Sequence, residues 1–222
     1  GVVYVRTTGL NQHDETVLEY VRWVMVRKRD LDAPAPETVV PDLPSALSVD
    51  QLAIPKGLDF TNYDFTLAGE PHRWGDYEIG EQIDHVDGVT IEEAEHMMAT
   101  RLWQNTAKVH FDTSARPDGS RLIYGGHVIS MARALSFNGL ANAQIVVGLN
   151  AGAHANPCLA GDTIRAWSQV LDKAETVAPG VGALRLRLVA TKGGAPFELR
   201  GENGKYLPDV LLDLDYWVLV PM

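Results

Sequence analysis

Hydrophobic and polar positions alternate with a period of two in several stretches of the chain. Val2 to Thr8 (VVYVRTT) is rich in β-branched residues, and Thr16 to Lys28 (TVLEYVRWVMVRK) carries apolar side chains on both parities. The polar segment LNQHDE between them has turn chemistry, so the pair is predicted to be an antiparallel hairpin. Two strands cannot bury both faces unaided and need a partner sheet or helix. Further along, Gln144 to Leu149, Thr163 to Asp172, Ala183 to Lys192 and Val210 to Val220 read as strands, with ALRLRLVAT alternating most cleanly. Helical spacing marks two segments. Thr90 opens TIEEAEHMMATRLWQ, and Glu93 three residues later makes Thr90 the expected N-cap of a capping box. From about Gly126 to Gly139 the run HVISMARALSFNG is small and apolar on nearly every side, which predicts a buried helix. A turn is expected at Asp87-Gly88, and a loop from Asn105 to Tyr124.

Proline sets the organisation. Arg29 to Pro71 carries Pro34, Pro36, Pro41, Pro44, Pro55 and Pro71, the composition of a linker running extended over a surface, with one helical turn near Ser48 to Leu52. Three parts follow: a strand pair over 1–30, a proline-rich linker over 31–73, and a main domain over 74–222. In the main domain one buried helix precedes several long antiparallel strands. That order predicts an α+β hot-dog fold, an antiparallel sheet wrapped around a central helix. The chain opens on Gly1, inside a strand-like run, so further sequence is expected before it.

Composition narrows the function classes. The 222 residues are 45% hydrophobic and 22% charged, enough to build a sizeable core. The formal net charge of −10 repels nucleic acid and anionic membranes, so neither is expected as a partner. One cysteine, Cys158, excludes a disulfide within the chain, and no apolar run reaches membrane-spanning length. The cytoplasm is the expected compartment. His13, His72, His85 and His96 have no second ligand at metal spacing, so no metal site is expected. Cys158 has no neighbouring base and reads as a buried thiol. Asp162 reads as a turn residue, and Asp209, Asp213 and Asp215 as one solvated face or a domain seam.

An ordered set of short motifs carries chemistry: GEQI at Gly80, TIEE at Thr90, NTAKVHFD at Asn105, RLIYGGHVIS at Arg121 and PCLAGDT at Pro157. In kind and order this set resembles the MaoC-like hydratases of the hot-dog class over about 90 residues. The QNT-x-x-VHFD loop, the linker and the preceding strand pair are similar to the tandem (double) hot-dog branch that hydrates mesaconyl-CoA. On that resemblance residues 1–30 are the last strands of a first, incomplete hot-dog. It implies a hydro-lyase acting on an enoyl-CoA thioester, with no cofactor beyond the CoA of the substrate, in a homo-oligomer.

Hydration of an enoyl thioester requires a base for water, an acid for the α-carbon, and N–H donors aimed at the thioester oxygen. The resemblance puts His110 at the family's catalytic histidine and Gly125 at the glycine whose N–H holds that oxygen. Asn105 stands where the family has aspartate. An amide can position water by hydrogen bonds but cannot take its proton, so either His110 does the proton work alone or a carboxylate arrives from elsewhere. Asp112 is the nearest carboxylate and reads first as a turn or cap acceptor. Gly126 gives close backbone approach beside Gly125, and Tyr124 is expected to line the acyl pocket. Arg121, Arg116 and Lys108 are candidates for the CoA phosphates; Arg121 equally fits a structural role at the helix entry. Two other readings stay open: a non-catalytic acyl-CoA-binding half of a double hot-dog, and a hot-dog thioesterase. The absence of a carboxylate from HVISMARALSFNG argues against the latter.

Overall fold

The computed structural model describes residues 1–194 and 196–222. It comprises two compact units, Gly1–Pro44 and Ser45–Met222. In the first, β1 (Val2–Leu10) and β2 (Thr16–Met25) pair antiparallel, with Val2 opposite Met25 and Gly9 opposite Leu18. Asn11 shapes the connection, its side-chain oxygen accepting the N–H groups of His13 and Glu15.

The second unit is a five-stranded antiparallel sheet in the order β3-β5-β6-β7-β4. The strands are β3 (Gln82–Thr90), β4 (Ile145–His154), β5 (Thr163–Glu175), β6 (Val181–Thr191) and β7 (Val210–Pro221). Its helices are α1 (Phe65–Ala68), α2 (Glu93–Leu102), α3 (Gly125–Leu135) and α4 (Phe137–Leu140). The expected α+β hot-dog architecture is present: α3 packs on one face of the sheet, where Val128 and Ala132 meet Leu186, Leu188, Tyr216 and Val218 in the main core. The opposite face is covered by Leu47, Leu52, Ile54, Leu58 and Phe60, packed on Val181, Ala183, Trp217 and Leu219. Two-sided burial leaves β6 and β7 buried at nearly every position, interrupted at Arg185 and Arg187 and at Asp213 and Asp215. The aspartates of β7 survive there by pairing. Asp213 meets Arg187 at 3.1 Å and Asp215 meets Arg185 at 2.6 Å.

Four expectations need correction. Thr90 caps no helix: it ends β3, opposite Thr163, and the two hydroxyls bond at 2.8 Å. The ladder that buries Ile91 outweighs the local capping signal, and α2 begins at Glu93 with Glu92 as its N-cap. Asp87-Gly88 is no turn. β3 runs through it with a bulge between Asp84 and Gly88, where Val86 has φ of +50°. The buried His85 stabilises the bulge. Its Nδ1–H donates to the Asn138 carbonyl at 2.7 Å, and its Nε2 accepts the Ser168 hydroxyl at 2.8 Å. The helix from Gly126 to Gly139 is really two, broken at Asn138 and at Gly139, whose φ of +91° only glycine holds without strain. Nor is α3 buried all round. The sheet covers one side, leaving Ser130 and Ala134 exposed.

Candidate active site

The first turn of α3 is the meeting point of four histidines and a tyrosine. Two backbone-directed bonds tie the His110 turn to the segment that leads into α3, and a third ties that segment to Cys158. Leu122 donates its N–H to Val109 at 2.9 Å, His110 donates Nδ1–H to the Leu122 carbonyl at 2.8 Å, and Ile123 donates its N–H to Cys158 at 2.9 Å. A carbonyl only accepts, so the proton of His110 resides on Nδ1 and the lone pair is left on Nε2. The ring stands edge-on to Tyr124, with centroids 6.0 Å apart, and to His96 at 6.5 Å.

Tyr124 is the N-cap of α3, and Gly125 and Gly126 supply its first N–H groups, which have no intrahelical acceptor. This end of the helix favours developing negative charge. The space beside the two glycines is taken up. A side chain at Gly125 would run into the imidazole of His154, and one at Gly126 into the Tyr124 ring. His154, the last residue of β4, thus lies directly against Gly125. Burial and the neighbouring His110 both push its pKa down.

α2 fastens the helix start from the other side. The Glu95 carboxylate accepts a hydrogen bond from His127 Nε2 at 2.7 Å, and His96 Nε2 accepts the Tyr124 N–H at 3.0 Å. Glu93 pairs with Arg121. His96 has no solvent exposure, and burial, with the nearby His127 and His110, pushes its pKa down to about 4.

The remaining sequence candidates are spread around this centre. The Asn105 side-chain oxygen accepts the Ala107 N–H at 3.0 Å, closing an Asx-turn at the start of the loop. Asp112 caps a short helical turn, accepting the Ser114 N–H and hydroxyl at 2.9 and 2.6 Å, and these bonds lower its pKa. Arg116 is engaged by Asp118 and Ser120 within its own loop, and Arg121 by Glu93. Lys108 is exposed on the short turn that also holds His110. Cys158 is buried, and burial pushes its thiol up to about 11. Among the described residues no group of His, Cys, Asp and Glu has the arrangement of a metal site.

The sequence singled out His96 only as a residue without a metal partner and gave His127 and His154 no role, yet all three pack against the helix start. One signal was available for His96. It lies four residues before Thr100, so two polar side chains share the face of α2 that the structure buries.

A five-stranded antiparallel sheet carrying α3, with a histidine cluster over its glycine-led first turn, is a hot-dog domain, and it is similar to MaoC-like dehydratases. A crystal structure of a MaoC domain protein dehydratase from Chloroflexus aurantiacus superposes with a TM-score of 0.93 at 57% identity, over 99% of this chain and 64% of that one. A Mycobacterium tuberculosis protein described as a double hotdog fold matches 98% of this chain with a TM-score of 0.63 at 23% identity, a likeness of fold alone. Two curated relatives make the position more particular. The chain is 75% identical over all 222 residues to mesaconyl-CoA hydratase of Cereibacter sphaeroides, and 58% identical to beta-methylmalyl-CoA dehydratase of Chloroflexus aurantiacus. It spans 65% and 64% of their lengths. No family model matches the chain.

Proposed function

We propose that this chain forms the greater part of a hydro-lyase that reversibly hydrates mesaconyl-CoA to β-methylmalyl-CoA. The observation that carries the reading is the 75% identity to a mesaconyl-CoA hydratase over all 222 residues of this chain. The geometry suits the chemistry. His110 Nε2 takes a proton from water as the oxygen attacks the β-carbon, and the electron pair moves to the thioester oxygen, held by the Gly125 N–H. The His110 imidazolium then returns that proton to the α-carbon as the electron pair comes back from the oxygen, which restores the thioester and the neutral imidazole. In this reading Gly126 allows close approach, Tyr124 lines the acyl pocket, and Asn105 holds the loop and positions water. Lys108, the one cation of the three with no bond to a protein acceptor among the described residues, meets the CoA phosphates, while Arg116 and Arg121 shape the loop.

Residues 1–30 are read as the tail of a first hot-dog, 31–73 as the linker and 74–222 as the hydratase domain, in a cytoplasmic homo-oligomer that uses no cofactor beyond the CoA of its substrate. No helix among the described residues is long and apolar enough to cross a membrane.

The full-length protein should consume mesaconyl-CoA, seen as loss of enoyl absorbance, and absence of turnover overturns the reading. One observation favours a second reading: Asn105 is already used by Ala107, as expected of a half that binds acyl-CoA without converting it. Full activity in His110→Ala would establish that reading. α2 brings the Glu95 carboxylate to His127, so a carboxylate does stand beside α3 although HVISMARALSFNG carries none. Release of free CoA thiol in the same assay decides the thioesterase case.

A further inference from the structure

We propose that His96 is a positioning residue that fixes the direction of the Gly125 N–H by holding the backbone of Tyr124. The inference rests on the reading of Gly125 as the donor to the thioester oxygen.

The backbone of Tyr124 is held at both ends. Its carbonyl accepts the N–H groups of His127 and Val128, at 2.9 and 3.3 Å, as the opening bonds of α3. Its own N–H lies outside the helix ladder and is taken by His96 Nε2 at 3.0 Å. The first set of bonds orients the peptide plane joining Tyr124 to Gly125. Because N–H and C=O point opposite ways across a trans peptide, the Gly125 N–H is directed away from the helix. The second bond fixes the φ rotation of Tyr124, which would otherwise let that plane swing. The Tyr124 side chain makes no capping bond, so it does not serve this purpose.

The environment of His96 makes it poor as a mere packing residue. Its ring is wholly buried, and its Nδ1 finds no hydrogen-bond partner among the described residues. An acceptor on Nε2 requires the proton on Nδ1, so a buried donor is left unserved, which destabilises the fold. A leucine or methionine would avoid that cost, but it would leave the Tyr124 N–H unserved instead. What the imidazole supplies is an acceptor at one place. The ring also lies 5.9 Å from His127 and 6.5 Å from His110, so it must stay neutral to keep both the bond and its neighbours. Its pKa of about 4 agrees with that.

Two variants of the full-length protein separate positioning from packing. In His96→Gln the side-chain oxygen sits as many bonds from Cα as Nε2 does; in His96→Asn it sits at the level of Nδ1. The Gln variant is expected to keep kcat within about threefold of wild type. The Asn variant should lose about tenfold or more in kcat at unchanged KM, since a misdirected oxyanion donor acts on the transition state. Deuterium uptake by a peptide covering residues 122–126 should rise in the Asn variant and not in the Gln variant. Wild-type kcat in the Asn variant, or equal losses in both, overturns the proposal. If wild-type protein turns over no enoyl-CoA, the hydratase reading fails by itself, and unchanged uptake in the Asn variant would then still overturn the role given to His96.

Discussion

The imidazole of His154 occupies the position that any side chain at Gly125 would need. One residue ends an edge strand and the other opens the buried helix, so strand and helix are in register only while position 125 carries no Cβ.

Alanine at 125 is therefore a sharp test. Inside a helix alanine is favoured over glycine by about 1 kcal/mol, yet here the added methyl overlaps His154. Gly125→Ala should lower the melting temperature and reduce kcat by about a hundredfold, the scale of a lost oxyanion donor. Adding His154→Ala should restore most of the melting temperature. A stabilised single variant would show that the two residues do not constrain each other.

His110 should dominate the chemistry. Replacing it with Ala or Gln is expected to reduce kcat by about 10²–10⁴-fold. Circular dichroism should be unchanged, since the ring makes a single bond to the Leu122 carbonyl. Hydration of mesaconyl-CoA by the full-length variants checks this.

Stability should fall on acidification. His96 is held neutral with a pKa of about 4, against 6.5 in the unfolded chain. Between these values the unfolded chain binds more protons, so the stabilisation is complete above 6.5 and is lost as pH falls toward 4. One such group is worth roughly 3 kcal/mol over that range. His85 and His154 are lowered by burial and act in the same direction. Urea midpoints measured across this window should decline, and less steeply in His96→Gln.

Asp215 ties three elements together. It accepts both Arg185 Nε and Nη2, at 2.9 and 2.6 Å, and Asn150 Nδ2 at 2.7 Å, while Asn150 Oδ1 accepts the Leu47 N–H at 2.8 Å. Asp215→Ala strands a half-buried guanidinium and an amide, at an expected cost of about 2–4 kcal/mol. Asp215→Asn should cost less. Denaturant titration at constant m-value reads both.

The strands were legible because burial imposes a period. β6 and β7 begin and end within two residues of the limits that alternation predicts. Thr90 misled because a capping box is a local signal, and the ladder to Thr163 is a long-range one. The bulge at Val86 escaped for the same reason. Its support comes from Asn138 and Ser168, far away in sequence. Of the candidate site, the motif order pointed to His110 and the two glycines, which the structure brings together. It could not locate His96 or His154, whose positions follow from how α2 and β4 pack, not from any spacing near them.

The strand order has a consequence for how the domain is made. Among the described residues β4 pairs with β7 alone, and β3 with β5 alone. During synthesis β4 leaves the ribosome long before the strand that will hold it, and α3 lies exposed until β5, β6 and β7 arrive. Contacts so far apart in sequence slow folding and leave intermediates open to aggregation. On this order the first turn of α3 at Gly125 should gain its contact with His154 late, once β7 has drawn β4 into the sheet.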